Sequence, residues 1–217
     1  MMKDALYAVI TGDIVDSSSL STTDRNVIEV HLNNIANKCS KYTDSQFDMF
    51  RGDSVQGVLK SCKLSLRVAV YFKAKTNAIR IEKGDRTPKV DIRLSIGIGK
   101  VDYLSNNILA SDGPAFKFSG HTLDTMKKSG RDLTLTTTSN KTNKQWDIIL
   151  SLMEEVMNGW SIASAETVAL LLWDDNEKHL SKILGISQPA VNLRKKHARW
   201  DAIKKTIEYY EKQFARK

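Results

Sequence analysis

The spacing of hydrophobic positions changes along this chain, and each change predicts an element. Residues 5–15 form a short apolar run ending in a polar turn, the pattern of a buried strand. From 22 to 40 the period lengthens. Ile28, Leu32, Ile35, Ala36 and Cys39 fall on one helical face behind a Ser/Thr-rich start suited to capping. Gln46–Arg51 and Ser54–Leu59 read as two strands joined at Gly52-Asp53, a hairpin signal. Residues 61–82 suit a helix buried through Leu66, Ala69, Val70 and Ile79. Over Val90–Ile98 the alternation is strict, with Val90, Ile92, Leu94, Ile96 and Ile98 separated by Asp91, Arg93, Ser95 and Gly97. A helix over about 114–129 and a strand over Leu133–Thr137 follow.

The succession βαββαβ, then αβ, predicts an α+β fold: a ferredoxin-like domain whose antiparallel sheet is covered by helices on one face. In such a sheet the third strand lies beside the first and runs opposite to it. The end of strand one and the hairpin tip then meet at one edge, with Asp13 at the first place and Asp53 at the second. Converging carboxylates repel unless a cation or a proton lies between them. Hard oxygens at a loop edge suit Mg²⁺ or Mn²⁺, which hold nucleotide phosphates. Two plainer readings stand beside this one. Gly-Asp is ordinary turn chemistry, and Asp13 is placed to cap Ser17–Ser19.

The remainder changes character. Thr136–Lys144 is polar and without hydrophobic anchors, which predicts a connector and a division into domains at 1–139 and 140–217. Helices are expected near 143–158 and 165–173. Then Leu180, Ile183 and Leu184 face inward on one short helix, Gly185 supplies a left-handed turn residue and Ile186 plugs the corner. Ser187 caps a second helix with Pro189 in its first turn, and Val191 returns to the core. This is the spacing of a DNA-binding helix-turn-helix. Ser187, Gln188 and Asn192 would meet base edges, while Arg194, Lys195 and Lys196, with Lys178 and Lys182, would meet phosphates. Arg194 stands where a second core residue is expected, with Leu193 as its substitute. Further on, Trp200, Ile203, Ile207, Tyr210 and Phe214 form a seam of little over two heptads, expected to pack on the chain's own helices.

Charge sharpens this division. The 217 residues carry 33 Lys+Arg against 25 Asp+Glu, a formal +8, and +7 of it lies between Asn176 and Lys217. All four tryptophans follow residue 140, whereas five of six phenylalanines precede it. With 41% hydrophobic and 27% charged residues the composition is globular. No apolar run approaches the ~20 residues that span a bilayer, and the acid at position 4 argues against a signal peptide. Cys39 and Cys62 form no CxxC, so a disulfide scaffold or zinc module is excluded and a reduced cytoplasm is expected. The four histidines lack ligand spacing. Gly97-Ile-Gly-Lys100 lacks the rest of a phosphate loop, and its glycines are read as letting a helix or ligand approach the strand.

Four blocks carry a resemblance: Tyr7-Ala-Val-Ile-Thr-Gly-Asp-Ile-Val-Asp-Ser-Ser, Phe50-Arg-Gly-Asp-Ser-Val-Gln, Ile92-Arg-Leu-Ser-Ile-Gly-Ile-Gly and Asp112-Gly-Pro-Ala-Phe-Lys-Phe-Ser-Gly-His-Thr-Leu-Asp. They resemble the bacterial SatD family and, more distantly over about 5–137, the catalytic domain of class III nucleotidyl cyclases. The likeness to SatD extends through the helix-turn-helix segment. The cyclase likeness implies a two-metal site of Asp13, the Ile14 backbone and Asp53. It also implies nucleotide-binding positions at Lys117 and His121, where cyclases carry an asparagine and an arginine. Met49 stands where cyclases place a base-selecting residue, and neither Lys117 nor His121 has the bidentate reach of arginine. The expectation is a cytoplasmic, homodimeric transcription regulator. Its cyclase-like domain would sense a metal–nucleotide or similar ligand, and its tail would bind DNA. The alternative is a working divalent-metal-dependent nucleotidyl cyclase.

Overall fold

In the computed structural model, which describes residues 5–50, 52–81 and 88–215, five strands form one sheet in the order β2-β3-β1-β4-β5. The strands are β1 (Tyr7–Ile14), β2 (Ser45–Phe50), β3 (Ser54–Leu59), β4 (Ile92–Gly99) and β5 (Leu133–Thr136). Neighbours are antiparallel except β4 and β5, which are parallel and joined through a crossover helix. The helices of this half are α1 (Thr22–Tyr42), α2 (Ser65–Asn77) and α3 (Pro114–Ser129). Ser21 caps α1 by accepting the Asp24 amide, and the five apolar positions read from its sequence are its buried ones. α2 is shorter than its pattern suggested: a 3-10 turn at Cys62–Leu64 precedes it, it stops at Asn77, and Ile79 is buried beyond its end. The last expected residue of that helix, 82, and Arg51 of the hairpin lie outside the described residues.

The helices do not lie on one face. Ala8, Ile10 and Ile14 of β1 and Ile92, Leu94, Ile96 and Ile98 of β4 join the core under α1 and α2. The alternate residues point the other way, where Val9 packs with Ala115 and Phe116 of α3. That approach needs the glycines of β4. A Cβ on Gly97 would lie 2.2 Å from the Ala115 carbonyl oxygen and 2.6 Å from the Ser119 nitrogen, and one on Gly99 would lie 3.0 Å from the Ala115 nitrogen. Gly97→Ala should therefore displace α3 and cost about 3 kcal/mol, read from urea unfolding; a loss within experimental error would remove the close-packing role.

The expected connector is corrected too. Ser139 accepts the Thr142 amide and starts α4 (Asn140–Asn158), so Thr142 is buried in a helix rather than lying in a loop. The Ser/Thr/Asn run that looked like linker is cap chemistry. α5 (Ile162–Leu171), α6 (Glu177–Leu184), α7 (Gln188–His197) and α8 (Trp200–Phe214) follow. One buried cluster runs across position 139, joining Trp146, Leu150 and the α8 seam to the sheet helices. All five seam residues are buried within the chain. The Tyr210 hydroxyl and the Ser65 hydroxyl share a hydrogen bond of 2.6 Å, and burial holds the phenol well above its ordinary pKa. Arg67 donates to Glu211 at 2.7 Å and to the Leu172 carbonyl. Cys39 and Cys62 are both buried, and the Cys62 thiol donates to the Leu6 carbonyl at 3.3 Å. No helix among the described residues is long and apolar enough to cross a membrane.

Candidate functional site: an ion-paired sheet edge and a basic helical corner

The sheet brings the two expected aspartates to one edge. Asp13 stands opposite Ser54 in the β1–β3 ladder, and the Ile14 amide donates to the Asp53 carbonyl at 2.9 Å. The cation that such an edge requires is a side chain. Asp13 also stands opposite Arg93 in the β1–β4 ladder, and both its oxygens are held, by Arg93 Nε at 3.0 Å and Nη2 at 3.1 Å. Lys127 of α3 approaches to 3.6 Å. The pair is largely enclosed, with side-chain exposures of 11% for Arg93 and 19% for Asp13. The Asp53 carboxylate accepts from the Ser54 hydroxyl at 3.2 Å.

This donor set does not fit Mg²⁺ or Mn²⁺ as folded. A divalent ion would have to displace a bidentate guanidinium from Asp13, and no group of three or more His, Cys, Asp or Glu among the described residues is placed to hold a metal. Asp13 does not cap the Ser17–Ser19 turn either; Asp16 precedes that turn, in left-handed conformation and without a side-chain cap. Lys117 is exposed and pairs with Asp112 at 3.5 Å, and His121 is exposed on α3. The α3 residue that reaches Asp13 is instead Lys127. Neither Arg93 nor Lys127 was singled out from the sequence. A signal for Arg93 existed: a lone arginine in the polar register of a strand otherwise built of Ile, Leu, Ser and Gly needs a buried anion opposite.

The helical end follows its sequence closely. Asn176 caps α6, accepting the Lys178 and His179 amides. Gly185 adopts φ 64 and ψ 30, its amide and that of Ile186 satisfying the last carbonyls of α6. Ser187 then caps α7 by accepting the Ala190 amide, with Pro189 in the first turn. Leu180 and Val191 are fully buried and Leu184 and Ile186 partly so, but Ile183 is 53% exposed and does not face inward. Leu193, 55% exposed, does not substitute for Arg194, which turns toward α5 and pairs with Glu166 at 3.3 Å. Lys195 is likewise committed, to Glu177 at 2.6 Å. Of the residues expected to meet DNA, Ser187, Gln188, Asn192, Lys178, Lys182 and Lys196 are exposed. Beside them His179 pairs with Asp174, whose carboxyl is held below its ordinary pKa by the Asn176 amide and then by His179.

No protein-family model matches the chain, and no curated protein sequence matches it. Solved structures do. A bacterial light-regulated adenylyl cyclase is 14% identical over 61% of this chain and 76% of its own, with a TM-score of 0.45. The monomeric guanylyl cyclase domain of the RhoGC fusion protein from Blastocladiella emersonii is 15% identical over 56% and 76%, at 0.46. The GGDEF domain of DgcB from Caulobacter crescentus, solved with c-di-GMP, is 9% identical over 61% and 76%, at 0.46. The likeness is one of fold, a mixed α and β nucleotidyl cyclase-like arrangement. The resemblance to SatD rests on the sequence blocks alone.

Proposed function

We propose that this protein is a DNA-binding regulator that reads duplex DNA with α7, and that its ferredoxin-like, cyclase-like sheet is a ligand-sensing scaffold whose Asp13 is committed to Arg93. The supporting observation is the corner at Gly185–Ser187. It presents Gln188 and Asn192 on the exposed face of a capped helix, beside Lys178, Lys182 and Lys196, which have no carboxylate partner among the described residues. Amide side chains there suit base edges, and lysines suit phosphates. A second copy would supply the other half-site.

Selection of bound genomic fragments by the full chain tests the reading: a recovered motif supports it, and uniform recovery at all salt concentrations overturns it. Gln188→Ala and Asn192→Ala should each relax preference by about 1–3 kcal/mol. Replacing Lys182 and Lys196 should weaken binding to every sequence and lower the salt slope by about 2. Lys195→Ala, already countered by Glu177, should change it less.

A second reading is favoured by the meeting of Asp13 and Asp53 at one edge: a divalent-metal-dependent nucleotidyl cyclase using Asp13, the Ile14 carbonyl and Asp53. It requires Asp13 to leave Arg93. Incubation with each nucleoside triphosphate and Mn²⁺ separates the two; a cyclic product lost in Asp53→Ala supports the enzyme.

A further inference from the structure

Between the C-terminal end of α7 and the first turn of α8 lies a cavity of about 600 Å³ lined by Asn192, Lys195, Lys196, Arg199, Trp200 and Asp201. Its volume is within the usual range of small-molecule sites, and three of its six named side chains are cations. Trp200 is 3% exposed, yet its indole Nε1 is buried without a hydrogen-bond partner. Buried donors are seldom left so, and Trp200 lines both this cavity and a neighbouring one beside Lys204. No side chain caps α8, and the Ala202 and Ile203 amides donate to the Arg199 carbonyl, which leaves the Trp200 and Asp201 amides as the donors of its opening turn. Arg199 adopts φ 53 and ψ 38, a conformation unusual for a residue other than glycine, at the junction of the two helices.

We propose that this cavity binds a phosphate group, held by Lys196 and Arg199 with the opening turn of α8. Those two cations are the pair that matters, because Glu177 already draws on Lys195 at 2.6 Å and Asp201 opposes an anion from the cavity wall. Two sources share this chemistry: a backbone phosphodiester of DNA lying along α7, and a free phosphorylated small molecule. The second would occupy the cavity beside Asn192 and compete with duplex. The site does not depend on α7 reading base edges.

The test uses the full chain, with pyrophosphate and a short duplex as probes in isothermal titration. The variant is Lys196→Ala with Arg199→Gly, since glycine keeps the positive φ. Lys128→Ala with Lys205→Ala removes the same charge elsewhere as the control. Saturable pyrophosphate binding that weakens about tenfold or more in the variant but not in the control establishes a free-phosphate site. Absent pyrophosphate binding, with duplex affinity about tenfold weaker in the variant than in the control, establishes a DNA-phosphate site. Pyrophosphate and duplex affinities equal in variant and control, or no binding of either probe, overturn the proposal. Pyrophosphate and duplex affinities equal to those of the control, with the sequence preference retained, remove this proposal while base reading by Gln188 and Asn192 stands. Lys196→Ala alone, checked by circular dichroism, replaces the double variant if that fails to fold.

Discussion

Glu154→Ala should cost about 3–5 kcal/mol of folding stability, the largest single loss expected in this chain. Glu154 is 5% exposed on α4 and holds the start of β5. It accepts Arg131 Nε at 2.6 Å and the Asp132 and Leu133 amides at 2.5 Å each. Truncation leaves two amides unpaired and a partly buried guanidinium short of its principal anion, although Arg131 keeps Asp147 and the Leu133 carbonyl. The desolvation already endured by these groups is then no longer offset. Because Leu133 pairs with Leu94 at the sheet edge, the damage should spread to β4. Urea unfolding of the variant checks this, and a loss under about 1 kcal/mol would mean the carboxylate contributes no more than an exposed ion pair.

The second large effect is at the sheet edge. Asp13→Ala should cost about 3 kcal/mol, because Arg93 would keep its enclosed position with only solvent to answer its charge. Replacing both members by Leu should recover much of the loss, since the pair's desolvation disappears with its attraction. A metal-binding edge behaves in the opposite sense. Removing one of two mutually repelling carboxylates would leave the metal-free protein as stable or more so, and would abolish any rise in melting temperature on adding Mn²⁺. Thermal unfolding of wild type, Asp13→Ala and the double variant, each with and without Mn²⁺, distinguishes the two.

Much of the local structure was legible from pattern. α3 and β3 carry the boundaries that the pattern implies, α1 starts where expected and runs two residues past its expected end, and β1, β2, β4 and β5 agree to within a few residues at their ends. The placement of Asp13 beside Asp53 followed from strand order alone. The tight turn between α6 and α7 was readable because each of its signals is local: Gly185 for the left-handed turn, Ser187 for the cap, Leu180 and Val191 for the buried side of each helix. The misreadings have specific causes. Thr136–Lys144 looked like a connector because Ser, Thr and Asn serve both as linkers and as caps, and only the packing of Trp146 behind them distinguishes the two. Ile183 and Leu193 read as inward because apolar side chains on a helix face usually seek a core, yet both are more than half exposed.

What the sequence determined by itself is whatever depends on near neighbours: where helices begin and end, which face of each strand is apolar, and where the charge gathers. Which face α3 covers, which cation answers Asp13, and which lysines of the basic tail are left without a carboxylate were decided by the tertiary structure. Those outcomes depend on pairs separated by 80 residues, as Asp13 and Arg93 are, or on different helices, as Arg194 and Glu166 are. A carboxylate's partner is set by distance and enclosure in the folded chain, since Coulomb attraction and desolvation depend on position in space and not on position in the sequence.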